Sequence, residues 1–224
     1  YDQSKLSDGG GIFERSAKRI ELNDAMRRVL CTDAESLRPN ELIQAMLTAP
    51  VDLLWNGGIG TYVRASDEAN ADVGDRSNDV LRVTARSLRC KVIGEGGNLG
   101  LTQRGRIEFA LRGGRINTDA IDNSGGVDMS DHEVNLKILL EQLLRTGQIT
   151  DFSQRNQWIE KLEDRMIELV LENNRAGNLC LSLDQKRLQQ SADSFLASFR
   201  WLESCGHQLE GLSAEDLHLS DHPA

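Results

Sequence analysis

The chain has 224 residues, of which 39 % are hydrophobic, 4 % aromatic and 27 % charged, with a formal net charge of −9. A packed core of Leu, Ile, Val and Ala is within reach, while the acidic surface repels phosphate backbones and argues against nucleic acid as a partner. Cys31, Cys90, Cys180 and Cys205 form no C-x-x-C pair, no signal peptide opens the chain, and no apolar run nears the ~20 residues of a bilayer span; a cytoplasmic protein with reduced thiols, no structural metal and no membrane is expected.

The first 22 residues read as a glycine-rich loop around Gly9-Gly10-Gly11, and the opening Tyr1-Asp2-Gln3-Ser4 reads as the interior of a longer chain. Asn23 is placed to cap a short helix ending near Leu30. Pro39 suits the first position of a second helix through Leu42, Ile43, Met46 and Leu47. Residues 51–55 are a short apolar run of strand type, broken by Asn56-Gly57-Gly58-Ile59-Gly60. Residues 65–79 are polar and irregular, and Ser77 is expected to start a helix through Val80, Leu81, Val83 and Ala85. Residues 91–94 predict a second buried strand, running into Glu95-Gly96-Gly97-Asn98. Thr102 then caps a helix carrying Ile107, Phe109, Ala110 and Leu111, which stops at Gly113-Gly114. Arg115-Ile116-Asn117 is a third strand, leading to Asp122-Asn123-Ser124-Gly125-Gly126-Val127.

Strands alternating with helices imply an α/β fold with a parallel sheet, whose ligands bind beyond the carboxyl ends of the strands. Each of three glycine-rich segments follows a strand, so all three are expected at that edge. From about Ser130 the pattern is helical. Val134, Ile138, Leu139, Leu140, Leu143 and Leu144 share one face; Trp158, Leu162, Met166, Leu169 and Val170 share a second; Leu188, Ala192, Phe195, Leu196, Phe199 and Leu202 share a third. Ser182 and Gln185 have capping-box spacing ahead of that third helix, and residues past Cys205 read as a polar tail.

The strongest chemical signal is the pairing of Glu95-Gly96-Gly97-Asn98 with Asn123-Ser124-Gly125-Gly126-Val127 and Ser130. Glycine lets backbone approach a ligand closely, and a carboxamide donates and accepts at once, as a nicotinamide amide also does. Taken singly, each Asn reads as a turn residue. Ser130-Asp131-His132-Glu133 also has the spacing of a capping box, so the Ser130 hydroxyl has a helix-starting alternative. His132 lies four residues after Asp128 without a third metal ligand nearby, and His207, His218 and His222 show no ligand spacing. Lys18 reads as a surface charge, and Asp67-Glu68 and Glu215-Asp216 read as solvated faces.

Residues 92–130 resemble the later half of the cofactor domain in glutamate dehydrogenases, which carries E-G-A-N before a helix and N-A-G-G-V-x-x-S after the next strand. Asp119, four residues before Asn123, matches an Asp common at that position in the family. Residues 51–62, with Asp52-Leu53-Leu54-Trp55-Asn56-Gly57-Gly58 in place of D-x-L-I-P-A-A, and residues 9–18 resemble the large bacterial NAD-specific subfamily. The similarity covers most of residues 1–145 and, more weakly, the helices to about Leu202. Two departures from the smaller enzymes stand out. Gly100-Leu101-Thr102 replaces P-T-T, and Asn56-Gly57-Gly58 replaces P-A-A, which keeps small residues but loses the rigidity of proline.

The resemblance implies a partial Rossmann-like parallel-sheet domain over residues 1–130, followed by an α-helical segment over 131–224. It implies NAD as cofactor and L-glutamate and 2-oxoglutarate as substrates, in amino acid catabolism by a cytoplasmic homo-oligomer. The backbone around Gly57 and Gly58 would face the nicotinamide amide. Gly97 and Asn98 would lie near the nicotinamide ribose, Asn123 between nicotinamide and substrate, and Ser130 at a substrate carboxylate. No G-x-G-x-x-G turn occurs here, since Gly94-Glu95-Gly96-Gly97 fits only its first glycines and sits between late elements. The pyrophosphate grip, the ribose-reading acid and the catalytic lysine and aspartate are therefore expected upstream of Tyr1, with no catalytic residue in this chain. Two other functions fit the same residues: a dehydrogenase of another amino acid, or a non-catalytic assembly module built on the helices of 131–202.

Overall fold

The computed structural model describes residues 2–205. The chain separates into two compact units, one ending at Asp119 and the other beginning at Ala120.

The first unit opens with β1 (Ile20–Glu21), α1 (Asp24–Leu30), β2 (Ser36–Leu37) and α2 (Pro39–Leu47). The Asn23 carboxamide oxygen accepts the Met26 N–H at 2.9 Å and so satisfies one of the free donors of the first turn of α1. Pro39 occupies the first turn of α2, where its missing N–H costs nothing. Strands β1 and β2 pair antiparallel, and Ile20, Leu22, Leu30, Leu42 and Ala49 bury together beneath them.

Next come β3 (Leu53–Asn56), β4 (Val63–Arg64), α3 (Asn70–Val73), β5 (Val83–Thr84), β6 (Val92–Glu95), α4 (Gln103–Leu111) and β7 (Arg115–Ile116). Three strands form a parallel sheet in the order β3-β6-β7, with Leu53 beside Val92 and Asn56 beside Glu95. The core on one side of it holds Val63, Ala85, Leu88, Cys90, Ile93, Leu101 and Phe109. This is the parallel α/β arrangement that the sequence predicts, and Thr102 caps α4 through the Gly105 N–H at 3.0 Å.

The helix expected from Ser77 does not form. Residues 76–78 make a single 3-10 turn, and Val83–Thr84 instead pair in parallel with Val63–Arg64 as a separate two-stranded sheet. The apolar residues that suggest a helix have opposite fates: Leu81 and Ala85 are buried, whereas Val80 is exposed. Tertiary packing overrides local spacing here.

The second unit is helical: α6 (Ser124–Arg145), α7 (Phe152–Gln190) and α8 (Ala192–Ser204), with the short α5 (Asp119–Asp122) at the division. Asp151 caps α7 by accepting the Gln154 N–H at 2.8 Å. Val170 and Leu140 are buried in this unit. Three expectations are corrected. The Asn123–Val127 segment is not a loop after β7: α5 follows that strand, Asn123 stands at the N-cap of α6, and Ser124 begins it. Ser130 is therefore inside α6 and starts no helix. Ser182 is likewise inside α7, where its hydroxyl donates to the Asn178 carbonyl at 2.9 Å, and the third helix begins only at Ala192. Among the described residues, no helix is long and apolar enough to cross a membrane. The polar tail with His207, His218, His222 and Glu215-Asp216 lies outside the described residues.

Candidate functional site

Parallel pairing of β3 and β6 sets their carboxyl ends side by side, and the two glycine-rich loops that follow them meet there. The Gly97 N–H donates to the Asn56 carbonyl at 3.1 Å. A Cβ on Gly97 would stand 2.2 Å from the Gly58 carbonyl oxygen, so only glycine permits this approach. Gly100 is similarly confined by the Asn56 carboxamide and by Glu95 Oε1. The Trp55 indole lies across Gly94 and Gly96, whose missing side chains make room for it. Gly58 differs, because a Cβ there would meet nothing within 4 Å. Gly57, Gly58 and Asn98 are exposed, whereas Gly97 is buried.

Beneath the second loop lies a buried charge network. Glu95, at the end of β6, is fully buried, and the Arg106 side chain on α4 is 5 % exposed. Arg106 Nε donates to Glu95 Oε2 at 2.7 Å and its Nη2 to Glu95 Oε1 at 2.9 Å, a bidentate fork. The same Nη2 stands 3.2 Å from Asp119 Oδ1. Both carboxylates also hold the loop backbone: Glu95 Oε1 accepts the Leu101 N–H at 3.1 Å, and Asp119 Oδ2 accepts the Leu99 N–H at 2.8 Å. Between them Leu99 adopts a left-handed φ of 54° while its side chain is exposed.

The loop after β3 is tied down separately. Asp75 Oδ2 accepts the Thr61 N–H at 2.9 Å and an Asn78 amide hydrogen at 2.7 Å, and the Ser77 hydroxyl donates to Oδ1 at 2.7 Å. Arg82, with a fully buried side chain, donates from Nε to the Thr61 carbonyl at 2.9 Å and pairs with Asp79. The Asn78 and Ser77 side chains, then the Thr61 N–H and the Arg82 charge, lower the Asp75 carboxyl from its ordinary 3.8 to about 2. The Cys90 thiol, in the core under β6, is pushed up by burial.

Gly57, Gly58, Gly97 and Asn98 are thus brought together at one sheet edge. Open space over Gly58 and the exposed residues Gly57 and Asn98 leave this edge accessible to a ligand. Asn123 and Ser130 belong to the second unit, seven residues apart at the start of α6, hence on one face of that helix. The Asn173 side chain donates to Asp128 Oδ2 at 2.8 Å, and His132 Nε2 stands 3.3 Å from Asp128 Oδ1. Among the described residues, no group of three His, Cys, Asp or Glu side chains is arranged to hold a metal. Glu95 and Arg106 are the residues that sequence reasoning misses. The one signal in the sequence is an arginine three residues before Phe109 on the same helix, and Arg106 and Phe109 are both buried.

The family described as bacterial NAD-glutamate dehydrogenase, catalytic domain, matches residues 1–184. The chain is 48 % identical over 219 residues to the NAD-specific glutamate dehydrogenase of Halomonas elongata, covering 96 % of this chain and 14 % of that protein. With the protein of the same name from Pseudomonas aeruginosa it shares 53 % identity over 206 residues, 92 % of this chain and 13 % of the other. With that of Mycobacterium tuberculosis it shares 53 % over 184 residues, 80 % of this chain and 11 % of the other. The chain spans between 11 % and 14 % of the length of these relatives.

Proposed function

The chain belongs to the catalytic-domain family of bacterial NAD-glutamate dehydrogenases, and from that premise we propose that it forms the nicotinamide-facing part of an enzyme that oxidatively deaminates L-glutamate to 2-oxoglutarate and ammonia. The observation that carries this reading is the interlocked pair of glycine loops at the carboxyl ends of β3 and β6, where ligands of parallel sheets bind.

NAD, when bound, supplies the acceptor for the hydride that leaves the substrate carbon. The backbone at Gly57 and Gly58 recognises the carboxamide of the nicotinamide, and Asn98 hydrogen-bonds its ribose. Gly97 holds the two loops at the spacing that this recognition needs. Asn123, whose carboxamide both donates and accepts, serves the amino acid substrate, and the Ser130 hydroxyl donates to a substrate carboxylate. The catalytic lysine and aspartate and the pyrophosphate grip belong to the parts of the longer enzyme that this chain does not span. Cytoplasmic location and assembly of the whole enzyme into a homo-oligomer are part of the proposal and rest on the resemblance.

The test is glutamate-dependent NAD reduction, measured on this chain and on the longer enzyme. Activity is expected in the longer enzyme only, together with a thermal shift from NADH; at a hundredfold excess over Kd, binding stabilises by ~2.7 kcal/mol. Inactivity of both with no NADH shift would turn the reading to an assembly module, for which the exposed Val127, Val134 and Ile138 of α6 would be the surface. Turnover by this chain alone would refute the assignment of the catalytic pair elsewhere.

A further inference from the structure

We propose that Arg106, acting through Glu95 and Asp119, is the positioning residue that sets the Gly96–Leu99 loop and with it Asn98; this rests on the reading of that loop as the nicotinamide-ribose side of the site. Three observations converge. The guanidinium is buried and forks onto Glu95 while also reaching Asp119. Each of those carboxylates uses an oxygen to hold a loop N–H, at Leu101 and at Leu99, on either side of Gly100. Between the two anchors the backbone is left-handed at a residue with a Cβ, a conformation that L side chains disfavour.

Stability does not account for this arrangement. A buried ion pair is commonly matched or bettered by apolar residues of the same volume, because desolvation offsets the attraction. Nor does packing account for the strained Leu99, since its side chain is 60 % exposed. What the network supplies is a fixed backbone course immediately after Asn98, imposed from two sides by carboxylates that one arginine holds in register. A planar fork is needed for that. Lysine, a single point charge on a flexible stem, cannot hold two oxygens of Glu95 and one of Asp119 together.

The experiment uses the whole enzyme with Arg106→Lys and, separately, Asp119→Asn. Asparagine keeps one acceptor but turns an NH2 toward either the Leu99 N–H or the guanidinium, so the loop is released on one side. In both variants KM for NAD and Kd for NADH are expected to rise roughly tenfold, as misplacement of a binding group does, while KM for glutamate stays within about twofold. A lowered melting temperature with KM for NAD and Kd for NADH unchanged would reduce the network to a structural role and overturn the proposal. Should Arg106→Lys not fold, Asp119→Asn, at the more exposed end, carries the same measurement. Wild-type enzyme that binds no NADH overturns the site reading together with the proposal, whereas normal wild-type binding with unchanged variants overturns the proposal alone.

Discussion

Gly97 and Gly58 face each other across the two loops, yet they are glycines for different reasons. Gly97 has no room for a Cβ because the Gly58 carbonyl fills the space, and that neighbour is backbone, which cannot swing aside. Gly97→Ala is expected to cost about 1–3 kcal/mol in denaturant unfolding, as overpacking does. Gly58→Ala meets open space and should leave stability within about 0.5 kcal/mol, while weakening NADH binding if the nicotinamide amide approaches there. A parallel contrast concerns acid. The Asp75 carboxyl titrates at about 2 when folded against an ordinary 3.8, so its contribution is complete above the unfolded value and is lost as pH falls through the folded one. Asp75→Asn should therefore flatten the fall of stability between pH 4 and pH 2, measured by urea unfolding at each pH. Residues of this kind differ in how legible they are. Asn98 and its glycines stand in one short run and can be read directly. Glu95 and Arg106 are eleven positions apart on different elements, and only the packing of α4 against the sheet makes them partners.

Elements announced by their own ends were legible: Asn23 before α1, Pro39 at the head of α2 and Thr102 before α4 each carry the chemistry that starts a helix. Residues 77–85 were not. Their helical spacing is real, but Arg82 is committed to Asp75, Asp79 and Thr61, and Val83 to pairing beside Val63. The start of α6 is hidden because Ser130-Asp131-His132-Glu133 imitates a cap, while the true first turn is Ser124-Gly125-Gly126, a poor helix former by propensity. Partners on α7 compensate: the Asn174 amide donates to the Ile121 carbonyl at 3.0 Å and to the Ser124 hydroxyl at 2.8 Å. Asn174→Ala should loosen that turn, seen as roughly fivefold faster amide exchange over residues 121–127, in line with the loss of about 1 kcal/mol. Ser130→Ala, by contrast, should leave helix stability unchanged, because Ser130 caps nothing; any effect should appear in substrate affinity.

At the scale of the whole molecule, a parallel α/β part followed by helices was legible because apolar runs ending in glycine alternate in the first stretch and give way to long helical stripes in the second. What the sequence could not display is how the sheet ends. Among the described residues β3 pairs only with β6, and Leu53 and Trp55 of β3 are exposed, as is Val92 beside Leu53 on β6. An unpaired edge beside an apolar face is prone to pair with another chain. This chain in isolation should therefore self-associate, and Leu53→Lys should lower its light scattering. The interlock of Gly97 with Gly58 bears on something else, the thermodynamics of recognition. Loops that touch without clearance before a ligand arrives have already surrendered their conformational freedom. A ligand taken up at this edge would order little further backbone, and its affinity would escape the entropy that a pair of independent, wandering loops would lose.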